Sequence, residues 1–142
     1  MSLKCRTAIL ELQKKYPKKR SALIPALHMA QEEVGYLPLT VQQEVAELFD
    51  LDVNEVQAIV TFYDMFFEAP VREKVVHVCK NLSCMLRGAD LVIEKLEATK
   101  DKYTIIPSEC LGACDLAPMM IVNDKVVGNL MPDTVLEEID RA

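Results

Sequence analysis

At 142 residues, 51% of them hydrophobic and 27% charged, the chain is sized for one ordinary domain, or for a small domain with a helical annex. No apolar run approaches the ~20 residues a membrane helix needs. The first thirty residues lack the apolar stretch of a secretory signal, so a reducing, cytoplasmic setting is expected, with no direct membrane insertion. Net charge is −6, split as +4 over residues 1–36 and −10 over the rest, and an acidic body argues against nucleic-acid binding, which needs a clustered basic surface.

Residues 1–70 read as helical. Cys5, Ile9, Leu12 and Tyr16 share one helix face, and Pro17 ends that helix. The basic stretch from Lys14 to Arg20 reads as a solvated helix end and turn, with a partner-docking patch as the alternative. Leu23, Leu27, Ala30 and Val34 line a second helix, which tolerates Pro25 only in its first turn. Gly35 stops it, and Pro38 follows beyond the helix end. Thr40 with Gln43, and Asp52 with Glu55, have the spacing of capping boxes opening a third and a fourth helix. Val53, Val56, Val60 and Tyr63 form the face of the fourth. Helices this short are not stable alone in water and must pack on something.

Residues 71–142 change period. Lys74 to Cys79 and Tyr103 to Pro107 read as strands, with a helix carrying Leu86, Ala89, Ile93 and Leu96 between them. Met119–Val122 and Val126–Leu130 flank a tight Asn123-Asp124-Lys125 hairpin. A terminal helix follows, with Pro132 in its first turn and Val135, Leu136 and Ile139 on its face. The order βαβ then ββα implies a small mixed sheet with helices packed on it, an α/β arrangement of the thioredoxin-like kind.

Four of the five cysteines fall in two close pairs, Cys79 with Cys84 and Cys110 with Cys114. Each pair follows a strand. If those strands are parallel, both pairs emerge at the carboxyl end of the sheet, where α/β folds usually place their sites. Clustered thiols in a reducing compartment point to ligands or redox centres rather than disulfides. Four thiolates suit a [2Fe–2S] centre, and they also suit a four-cysteine zinc site stabilising an interaction module without redox activity. A dithiol oxidoreductase using Cys79 and Cys84 fits poorly, because that chemistry uses C-x-x-C. An iron–sulfur centre with four thiolates is an anion that becomes more negative on reduction. A helix starting near Cys84, and the small residues Gly112 and Ala113, would bring backbone amides towards the sulfurs.

The string Val78-Cys79-Lys-Asn-Leu-Ser-Cys84-Met-Leu-Arg-Gly88, followed by Glu109-Cys110-Leu-Gly-Ala-Cys114-Asp-Leu-Ala-Pro118, resembles the E-subunit family of NADH:quinone oxidoreductase (complex I). Tyr16-Pro17, Ala22 to Pro25, Gly35-Tyr36-Leu37-Pro38 and Val60-Thr61-Phe62-Tyr63 extend the resemblance over nearly the whole chain. It implies a thioredoxin-like [2Fe–2S] ferredoxin domain over 71–142 behind a helical region over 1–70. It implies one [2Fe–2S] cluster on Cys79, Cys84, Cys110 and Cys114. The implied partner is a flavin- and NADH-binding subunit that alone holds FMN and NADH, and any attachment to the membrane periphery would come through other members of the complex. In place of a Gly/Pro/Asp-rich segment before the second cysteine pair, the chain has only Thr99-Lys100-Asp101-Lys102. The resemblance therefore extends also to the related subunits of NAD-linked hydrogenases and formate dehydrogenases.

The remaining features assign less. Gly35, Gly88, Gly112 and Gly128 are too scattered for a dinucleotide or phosphate loop, and no catalytic triad or carboxylate pair is evident. A one-electron carrier without a hydride acceptor of its own needs a flavoprotein partner. Cys5 reads as a buried core thiol, His77 as a core or surface histidine on the strand face of Cys79, with a role beside the cysteines as the alternative, and Met65-Phe66-Phe67 as core, with an exposed docking patch as the alternative. Pro118 stands where thioredoxin-like folds often hold a cis proline.

Overall fold

The computed structural model describes residues 1–142, which divide into two compact units, Met1–Val71 and Arg72–Ala142. The first unit is four helices: α1 (Leu3–Gln13), α2 (Leu23–Val34), α3 (Leu39–Phe49) and α4 (Val53–Phe62), with a 3-10 turn at Lys19–Ala22 before α2. Their apolar faces close into one core that includes Cys5, Ile9, Leu23, Leu27, Val45, Val56 and Val60, all buried. Fully burying each of the larger aliphatic side chains contributes about 1.5–3 kcal/mol, which is what holds helices too short to persist alone. Pro25 lies in the first turn of α2, where its missing N–H costs nothing.

Two capping details differ from the sequence reading. Asp52 does cap α4, accepting from the Asn54 N–H at 2.8 Å, but Glu55 turns outward to Arg20 at 2.7 Å instead of back to the cap. Thr40 does not cap α3. The cap is Pro38, whose extended backbone (φ −63°, ψ 160°) lets its carbonyl accept from Val41 and Gln42. Proline's fixed φ suits that position, so the helix starts two residues earlier than a threonine cap at position 40 would allow.

In the second unit, β1 (Val75–Cys79) pairs in parallel with β2 (Thr104–Ser108), placing Cys79 opposite Ser108. On its other side β1 pairs antiparallel with β3 (Met120–Val122), and β3 with β4 (Lys125–Val127), giving the order β2-β1-β3-β4. The hairpin is tighter and β4 shorter than the sequence reading: Asn123 and Asp124 alone make the turn, with Asn123 at φ +52°. That left-handed geometry suits asparagine and matches the twist of a two-residue hairpin.

The crossover from β1 to β2 holds two helices rather than one, α5 (Leu82–Met85) and α6 (Ala89–Glu97). Gly88 separates them at φ +86°, a conformation most side chains avoid. This break rotates Leu86 out to solvent at 78% exposure, so the buried face of α6 is Ala89, Val92 and Leu96. The last helix, α7 (Val135–Arg141), begins after Pro132 rather than around it. The main core of this unit joins Val76, Val78, Val92, Leu96, Ile105, Met120, Val135 and Ile139. No helix in the chain is long and apolar enough to cross a membrane.

Candidate metal centre

Because β1 and β2 are parallel, both cysteine pairs leave the sheet at the same end. Cys79 is the last residue of β1, and Cys110 follows β2 by two residues. Backbone bonds register the segments: the Cys79 N–H donates to Met119 O at 3.1 Å, and the Lys80 N–H to Ser108 O at 2.9 Å. Side chains tie the two loops as well, with Lys80 3.2 Å from Glu109 and Asn81 Nδ2 donating to Glu109 at 3.2 Å. A small separate cluster of buried residues (Cys79, Cys84, Ala89, Ala117 and Met119) forms the floor beneath them.

The structure places all four predicted thiols at one end of the sheet, with Cys114 close enough to feel both Cys110 and the buried pair. Cys79 and Cys84 are buried and within hydrogen-bonding reach of each other, whereas Cys110 and Cys114 are exposed, their sulfurs 3.6 Å apart. Burial pushes the Cys84 thiol up, the Cys79 sulfur adds to this, and the Met119 backbone N–H acts in the opposite direction. The Cys114 thiol is raised chiefly by its hydrogen bond with Cys110, while the Ser83 side chain opposes that rise. Thiols that raise one another's pKa at close range lose their protons to solvent more readily when a bound cation stabilises the thiolates.

The fifth cysteine is elsewhere. Cys5 is a buried thiol of the helical core, 3.8 Å from Met29 O. His77 is half-buried with Nδ1 3.0 Å from Ser108 Oγ, a polar contact within the sheet. His28 packs against Phe66, centroids 4.8 Å apart. Of the Met65–Phe67 run only Phe66 is core, and Met65 is 47% exposed. The Ala117–Pro118 bond is cis.

Two parts of this site escape sequence reasoning. The helix holding Cys84 is only four residues long, with Cys84 in its interior, so it offers no long dipole to the site. The amide directed at the Cys84 sulfur comes instead from Met119, thirty-five residues further along the chain. The Lys80–Glu109 pair was equally hidden, because opposite charges twenty-nine residues apart carry no periodic signal.

The donor set fits an iron–sulfur cluster. All four donors are soft thiols at one end of one sheet, and each loop contributes two. No three His, Cys, Asp or Glu side chains gather tightly enough to hold a single ion in this structure.

Comparison with known proteins points to the same chemistry. The chain is 39% identical over 126 residues to an NADH-quinone oxidoreductase E-subunit (E 2) of Rhizobium meliloti (strain 1021), covering 82% of this chain and 75% of that one. It is 34% identical over 137 residues to "NADP-reducing hydrogenase subunit HndA" of Solidesulfovibrio fructosivorans, covering 89% and 80%. Among solved structures, an NAD+-reducing [NiFe]-hydrogenase in the H2-reduced state superposes with a TM-score of 0.66 over 84% of this chain. This chain spans only 22% of that one, and at 23% identity the likeness speaks for the fold alone. The profile of the thioredoxin-like [2Fe-2S] ferredoxins matches residues 9–142, and the chain belongs to that family.

Proposed function

We propose that this chain is an electron-transfer subunit of an NADH-linked oxidoreductase complex, holding one [2Fe–2S] cluster on Cys79, Cys84, Cys110 and Cys114. The observation that carries this reading is the convergence of four thiols from two loops at the carboxyl end of β1 and β2, two of them facing solvent. Relatives named as subunits of NADH-quinone oxidoreductase and of an NADP-reducing hydrogenase support the setting. A bound cluster supplies one-electron redox chemistry. The chain's own residues divide the remaining tasks. Cys79 and Cys84 anchor from the protein side, and the Met119 N–H offsets negative charge at Cys84. Cys110 and Cys114 mark the side from which electrons enter or leave. Leu82, Met85 and Leu86, all exposed beside the first pair, form an apolar rim that a docked partner would cover, excluding water.

The partner we infer is a flavin- and NADH-binding subunit, since splitting a hydride into single electrons requires a flavin. The helical unit is proposed to help hold that partner in place, and the complex to work in the cytoplasm, peripheral to a membrane where other subunits provide one. The purified chain alone should not be bleached by NADH. Adding the flavin subunit should allow NADH to reduce it, seen as loss of visible absorbance. Rapid bleaching of the flavin-free chain by NADH would contradict the division of labour.

A further inference from the structure

Gly128 differs from the chain's other glycines. Gly35, Gly88 and Gly112 have left-handed backbones and open space where a Cβ would stand. Gly128 has no such backbone, but a Cβ there would lie 2.4 Å from Leu116 Cβ, 2.8 Å from Leu116 O and 3.3 Å from Leu116 Cα. Leu116 closes the 3-10 turn Cys114–Leu116, two residues beyond the last of the four thiols. The segment after β4 is strapped across this turn: the Asn129 N–H donates to Leu116 O at 2.7 Å, and the Leu130 N–H to Pro118 O at 3.0 Å.

From this close approach we propose that Gly128 is a positioning residue for the cluster. Its absent side chain is the space into which the Cys114 turn seats, and the hydrogen-bonded strap holds the turn there. The inference rests on the ligand reading above and extends it to a residue in the segment that follows β4. Because the 128 backbone is ordinary, alanine would cause no local strain, and its whole effect would be to push the Leu116 turn away. The backbone atoms of Leu116 lie in the path of that Cβ along with its side chain, so the turn must move as a unit and Cys114 with it. Cys114 is exposed and has no core packing to resist such a shift.

The test compares full-length wild type and Gly128→Ala, purified anaerobically with cluster bound. Measurements are iron and sulfide per chain, visible circular dichroism, and the electron paramagnetic resonance spectrum after chemical reduction. Expected are a lower iron content or shifted spectra in Gly128→Ala, with far-ultraviolet dichroism unchanged and partial recovery in Gly128→Ala/Leu116→Gly. Wild-type iron content together with unchanged spectra would overturn the proposal. Should Gly128→Ala not fold, the double variant decides. Recovery of soluble, cluster-loaded protein supports the contact as the cause, and an insoluble double variant overturns it. Failure of the ligand reading is separable, because wild type itself would then contain no iron and sulfide.

Discussion

The two units solve packing differently. The helical unit gathers its apolar side chains into one core and even uses its cysteine, Cys5, as a hydrophobe. The sheet unit keeps a main core between sheet and helices and sets a second, smaller cluster around Cys79 and Cys84 at the sheet's carboxyl end. Burial does not separate these cysteines, since Cys79 and Cys84 are as buried as Cys5. What differs is that Cys5 has no second thiol beside it, whereas Cys79 and Cys84 share one end of the sheet with the exposed pair Cys110 and Cys114. On the proposed ligand assignment, the same residue type serves structure in one unit and chemistry in the other.

The largest effect that could break this contrast is on the ligands. Cys79→Ala, Cys84→Ala, Cys110→Ala and Cys114→Ala should each abolish or badly weaken cluster binding in iron and sulfide analysis, while Cys5→Ala retains it. Bleaching by Cys5→Ala, with one of the other four staying brown, would reverse the assignment. Deletion of residues 1–70 should come next, leaving the visible spectrum largely intact while weakening co-purification with the flavin subunit. A soluble truncated protein that keeps its cluster and binds that subunit as tightly as the full chain would remove the proposed docking role.

Packing changes should stay within their own unit. Ile9→Ala and Leu96→Ala each empty a fully buried site, at a cost of about 2–5 kcal/mol. Only Leu96→Ala should lower the temperature at which cluster absorbance is lost. Acidity sharpens the contrast further. In cluster-free protein, burial holds the Cys84 thiol above its ordinary value of 9.0, and Cys110 does the same for Cys114. A raised folded value means this contribution to stability is complete below the unfolded pKa and is lost as pH rises through the folded one. Cluster binding has the opposite sign, because it takes thiolates and releases protons. Denaturation midpoints of the cluster-free protein should therefore fall as pH passes 9, and cluster retention should fall as pH drops. The smallest effect is at the surface. Arg20→Ala removes the pair with Glu55 and should cost under about 1 kcal/mol.

Much of this was legible in the sequence because it is periodic. The helix faces of Ile9, Leu23, Leu27, Val56 and Val60 follow 3.6-residue spacing, and all are buried. The parallel pairing of β1 and β2, and hence the meeting of the cysteine pairs, follows from a crossover too long for a hairpin. What was not legible depends on single backbone angles or on distant partners. Gly88 reads as an ordinary helix residue until its φ of +86° is known, and that angle is what exposes Leu86. Pro38 reads only as a residue beyond the end of the second helix, yet its carbonyl starts α3. The basic stretch before α2 reads as a solvated helix end and turn, and it is largely exposed. What the sequence does not show is that Lys19 and Arg20 pair there with Asp50 and Glu55. Those partners, the Met119 amide and the Leu116 seat at Gly128 become neighbours only when the chain folds.

The most direct test of the central claim is metal analysis of the full-length protein purified without oxygen, read beside its visible spectrum. A brown protein with iron and acid-labile sulfide in equal amounts, two of each per chain, is the result predicted by a [2Fe–2S] cluster on four thiolates. A colourless protein with one zinc per chain and no sulfide would contradict it.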